Sequence, residues 1–92
     1  RPDPFVGQGE STGGMATALR GDPPADGKYA VQITGTDVDL ELSAKETGEK
    51  VYEAKSTSAV WTFRMVDDDL LNATAEPDSG ASATTSFKRV GD

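Results

Sequence analysis

Asp67-Asp68-Asp69 and Asp37-x-Asp39-x-Glu41 are the densest groupings of chemically capable side chains in this sequence. Carboxylates are hard oxygen donors, and consecutive acids in a loop can offer Ca²⁺ two of its ligands. The acids at every second position, central glycine and closing glutamate of an EF-hand loop are absent. Asp67-Asp68-Asp69 therefore reads first as a solvated turn, because Asp favours turns. Its second reading is a surface that meets a basic protein partner. Asp37, Asp39 and Glu41 fall on one face of one strand, where they could meet a cation or a basic partner. More simply, they form the wet side of a sheet, with Lys on neighbouring strands offsetting them. The 16 acids also leave paired-carboxylate hydrolysis formally open. That chemistry needs two carboxylates held at a defined separation across a cleft, which a domain of this size rarely supplies.

The residue types that are missing narrow the field. The sequence has no His and no Cys. It cannot build a Ser-His-Asp triad, a Cys-His dyad or a His/Cys zinc site, and it has no disulfide. The expectation is a protein without catalysis, metal or cofactor. The net charge is −7, and the cations Arg20, Lys28, Lys45, Lys50, Lys55, Arg64, Lys88 and Arg89 are scattered. Without a cationic patch, nucleic acid and anionic membrane surfaces should be repelled. No apolar run approaches a membrane span. The oligomeric state is left open.

Trp61, Phe63 and Met65 point to one side of one strand, with Tyr52 and Ala54 expected on the same face. With Tyr29 they could line a ligand-binding calyx, or they could simply fill a core, which the scarcity of other large side chains favours. Gly7-x-Gly9 and Gly13-Gly14 are glycine-rich, but no helix follows to hold an anion. Asn72-Ala73-Thr74 fits the glycosylation acceptor pattern, a triplet that chance supplies often.

The elements that must position these residues are strands. Val38, Leu40 and Leu42 alternate with Asp37, Asp39 and Glu41, the period-2 pattern of a sheet with one dry and one wet face. Lys28–Thr34 alternates likewise. Further strands are expected at Phe5-Val6, Met15–Arg20, Val51–Ser56, Ala59–Val66, Leu70–Ala75 and Ala83–Val90. Gly7 and Gly9 are expected to end the first strand. Turns or loops are expected at 11–14, 21–27, 46–49, 67–69 and 76–80. About eight short strands at this spacing predict an all-β, antiparallel meander. Closure into a small β-barrel hides the edges most cheaply; a two-sheet β-sandwich is the alternative. The 92 residues suffice for one domain, with residues 1–4 expected to form an N-terminal tether. Trp61, Phe63, Val38, Leu40, Leu42, Tyr29, Val31, Ile33 and Phe87 are expected to share the buried face.

Asp3-Pro4-Phe5-Val6-Gly7, Gly27-Lys28-Tyr29-Ala30-Val31, and Val66–Leu70 followed by Thr85–Val90 resemble the first-strand entry, tyrosine-bearing strand and last hairpin of small bacterial lipocalin-like β-barrel domains. The resemblance implies a barrel, an exported binding protein, and a late arginine, here Arg89, packed over an aromatic ring, here Phe5. The chain departs from the family in lacking a Gly-x-Trp near the first strand; its one tryptophan is Trp61.

Two functions follow as expectations. One is a non-enzymatic exported domain that takes a small apolar ligand or lipid at the barrel mouth, through Trp61, Phe63 and Tyr29. The other is an acidic interaction module, of inhibitor or immunity type, that docks on a basic protein through Asp67, Asp68 and Asp69. A sequence opening on Arg1 without Met suggests a processed chain, hence a secreted or periplasmic location.

Overall fold

The computed structural model describes residues 6–11, 16–22, 25–35, 38–67 and 69–91. The expectations for Asp37, Asp68, Phe5, Met15, the tether at 1–4 and the side chain of Val38 lie outside them. The described residues form eight antiparallel strands and no helix: β1 Gly7–Ser11, β2 Ala16–Gly21, β3 Lys28–Gly35, β4 Val38–Gly48, β5 Val51–Lys55, β6 Ala59–Asp67, β7 Leu70–Pro77 and β8 Ala83–Gly91. Each strand pairs with the next, and β1 pairs with β8, so the meander closes into a barrel. The sandwich alternative is thereby set aside.

The interior is built by opposing large and small side chains. Tyr29 faces Ala44, and Phe63 faces Ala73 and Tyr52. Trp61 lies between Ala54 and Ala75, and Phe87 faces Leu71. Small residues beside rings let a narrow barrel fill to native density without strained rotamers. Tyr29, Ile33, Phe63, Leu71 and Phe87 are completely buried. Of the expected core, Val31 and Leu42 are also buried, whereas Leu40 and Trp61 are only partly covered. Leu19, Ala44, Leu71 and Ala73 join the core without having been expected there.

Two strand boundaries differ from the expectation. The first strand runs through Gly7 and Gly9 rather than ending at them. Both glycines occupy inward, buried positions, and the β1–β8 register shifts between them. A bulge is a place where glycine belongs within a strand. The segment Glu46-Thr47-Gly48 continues β4 instead of turning. Its register against β5 also shifts, between Glu46 and Gly48. The turn falls one step later, at Glu49-Lys50, with Lys50 at a left-handed φ of 60°.

In an up-and-down barrel, alternate connections lie at opposite ends. The lower end carries the chain entry at Val6, the β2–β3 connection, the Glu49-Lys50 turn, the β6–β7 turn and the exit at Gly91. The upper end carries 56–58 and 78–82.

Candidate functional site

Among the described connections, charge collects at the lower end. Asp22 and Asp26 lie between β2 and β3, Glu49 in the β4–β5 turn, and Asp67 and Asp69 around the β6–β7 turn; all five are exposed. Lys50 is the one cation within those described turns. The connections 56–58 and 78–82 at the upper end contribute a single acid, Asp78. This asymmetry comes from the meander itself, which sends alternate turns to one end.

Two of the expected partner-binding acids have structural tasks. The Asp67 carboxylate accepts a hydrogen bond from the backbone N–H of Asp69, 2.8 Å away. This is the local bond by which Asp shapes a turn. Asp69 lies 3.4 Å from Nε of Arg89, and its carbonyl accepts the Arg89 backbone N–H at 2.8 Å. Arg89 also donates from its guanidinium to the carbonyl of Val6. From β8 it thus ties the entry of β1, on one side, to the β6–β7 turn on the other. The position expected for Arg89 was over Phe5, and its observed acceptor is the adjoining residue.

Beneath this latch lies the Tyr29 phenol. Burial pushes its pKa well above the ordinary phenol range, and the nearby Arg89 guanidinium offsets part of that rise. The Tyr29 ring packs tilted on Tyr52 with centroids 5.3 Å apart, and edge-on to Phe63 at 6.5 Å. Trp61 stacks on Phe63 at 6.2 Å. The structure therefore brings Tyr29, Phe63 and Trp61 together, as aromatic packing. Tyr29 and Phe63 have no exposed surface, while Trp61 is half-buried towards the upper end.

Concave surface exists on the outside. A depression of about 470 Å³ crosses the outer faces of β2, β3 and β4, lined by Arg20, Gln32, Glu41 and Ser43 among others. A second, of about 270 Å³, adjoins it across β1, β2 and β3. Neither is lined by Trp61, Phe63 or Tyr29. On β4, Asp39 and Glu41 are exposed, and they stand opposite Thr34 and Gln32 of β3. Lysines were expected on the neighbouring strands; none stands directly opposite these acids on β3, and neither acid forms an ion pair among the described residues.

The Asn72-Ala73-Thr74 triplet sits in the middle of β7. Asn72 is half-buried, and its Oδ1 accepts a 2.7 Å hydrogen bond from the Ser86 hydroxyl on β8. A glycan acceptor belongs on an accessible loop, so this triplet serves the sheet. Among the described residues, no cluster of carboxylates could hold a metal ion and no helix is long and apolar enough to cross a membrane. No protein-family model, curated protein or solved structure matches the chain.

Proposed function

We propose that this chain is a small lipocalin-like barrel that acts without catalysis, as an acidic interaction module docking on a basic protein through its lower end. The observation that carries the reading is the filled interior below a carboxylate-rich rim. Tyr29 and Phe63 are fully buried against neighbouring rings, which leaves the lumen they occupy to side chains. Five exposed carboxylates meanwhile stand on the connections of one end. Loops on a rigid sheet can display such charge without disturbing the fold. Complementary charge of this kind speeds encounter and selects partners. The eight-strand meander supports the lipocalin-like kinship at the level of architecture. An exported location is part of the same proposal and rests on the resemblance alone.

The test is a pull-down from the source cells with the unaltered chain and with Asp67, Asp68 and Asp69 all changed to Asn. Native mass spectrometry should recover a basic protein. The variant should bind it more weakly at low salt, with a shallower salt dependence. Recovery of a lipid in place of a protein would favour the apolar-ligand reading. Equal affinity of the two forms at low salt would reduce the acidic turn to a solubilising element.

A further inference from the structure

The β4–β5 ladder is short. It joins Lys45, Glu46 and Gly48 to Glu53, Tyr52 and Val51, and pairs no residue of β4 before Lys45. Over the same stretch β4 stays paired with β3, from Gly35–Val38 down to Lys28–Lys45. Residues 39–44 therefore belong to a ladder on one side only, although β5 runs on to Lys55. In an antiparallel strand, alternate residues turn their N–H and C=O towards opposite neighbours, so half of this segment's backbone groups face a side with no ladder. Asp39, Glu41 and Ser43 project outward and are exposed, while Leu42 and Ala44 project into the core and Leu40 is partly covered.

We propose that residues 39–44 of β4 accept an extended segment of a partner protein as an added strand, in which cationic and apolar residues alternate. The added strand would complete the backbone hydrogen bonding of β4. Its outward side chains would stand across from Asp39 and Glu41, which have no cation opposite them on β3. Its inward side chains would extend the incompletely covered apolar layer at Leu40. A second copy of this chain fits poorly as the occupant, because edge-to-edge pairing of β4 would set these acids against their own copies. The inference stands on the ladder and on β4, independently of the acidic lower end.

A short, capped peptide of alternating lysine and valine serves as the probe, with the full chain as receptor. Backbone amides of residues 39–44 should exchange more slowly with solvent when the peptide is present. N-methylation of alternate peptide residues removes the donors of one strand edge and should abolish binding. Asp39→Asn with Glu41→Gln should weaken binding about fivefold at low salt, on the scale of exposed charge pairs. Equal binding of the methylated peptide would overturn strand addition. So would protection centred on Asp67–Leu70, or the absence of any binding; the first of these would still leave the interaction-module reading standing.

Discussion

The two ends of this barrel are closed by different means. At the lower end Arg89 holds the entry of β1 and the β6–β7 turn together, over a Tyr29 that is wholly buried. At the upper end Trp61 and Leu40 are only partly covered, the described connections carry one charge, and β4 runs on beyond its ladder with β5. The lower end is thus fastened by specific polar bonds and carries charge on its rim. The described connections of the upper end are joined by backbone hydrogen bonds, from Asp78 N–H to the Ser58 carbonyl and from Ser56 N–H to the Ala59 carbonyl, with no ion pair among the described residues there. Closure of the ring does not require both ends to be finished alike: the lower end combines its polar latch with an acidic rim, and the upper end exposes a stretch of β4 laddered on one side.

The largest expected effect is in the shared core below both ends. Phe63→Ala removes a fully buried ring that touches Tyr29 and Trp61, and should cost about 3–5 kcal/mol in chemical denaturation. Trp61→Ala, at the half-covered upper end, should cost clearly less despite the larger side chain. Equal losses would erase the contrast between a sealed and an unfinished end.

Next comes the latch. Arg89→Leu keeps an apolar stem but removes the bonds to Val6 and Asp69, and should cost about 1.5–3 kcal/mol, the range for hydrogen bonds to charged groups. Asp69→Asn should cost under about 1 kcal/mol, because that carboxylate is mostly exposed and exposed ion pairs contribute little. If the two variants lose the same amount, the Val6 carbonyl is not the important acceptor.

The buried phenol gives a pH signature. Tyr29 ionises in the unfolded chain near the ordinary phenol value of 10.0, and in the fold well above it. Its contribution to stability is fully present below about pH 10 and is lost as pH rises towards the folded value. The slope for one proton is about 1.4 kcal/mol per pH unit. Tyr29→Phe should remove that part of the alkaline slope, which distinguishes it from a constant offset due to lost packing. A slope unchanged by the substitution would place the phenol in water.

The smallest effect is at the Glu49-Lys50 turn. Lys50 adopts a left-handed φ that L-residues disfavour. Lys50→Gly relieves this while adding freedom to the unfolded chain, and should stabilise by about 0.5–1 kcal/mol. A rise of several degrees in Tm would follow for a domain of this size.

The strands from Lys28 to Phe87 were legible because their apolar residues recur at every second position. β1 was not, because its inward positions are Gly7 and Gly9, which carry no hydrophobic signal and look like strand breakers. Glu46-Thr47-Gly48 has the composition of a turn, yet the bulge in the β4–β5 pairing lets the strand absorb it. Leu71 and Ala73 were overlooked because β7 mixes them with Asn72, Thr74 and Glu76, and alanine earns its place there only opposite Phe63. Of the candidate sites, the Asp67-Asp69 turn was visible as a local motif. The open edge of β4 was not, since where a ladder stops depends on the stagger of strands around the ring. The family resemblance singled out Arg89 for packing over Phe5, which lies outside the described residues; its bonds to Val6 and Asp69 have no local pattern to mark them.

The central claim is that the barrel is filled and binds through its surface. It is tested most directly by titrating the protein with laurate while following Trp61 emission and Tm. A filled barrel predicts no saturable change in emission and no stabilisation as the fatty acid is added. A saturable, one-to-one shift in Trp61 emission with a matching rise in Tm would contradict it, because only a lumen that opens for an apolar chain could produce both.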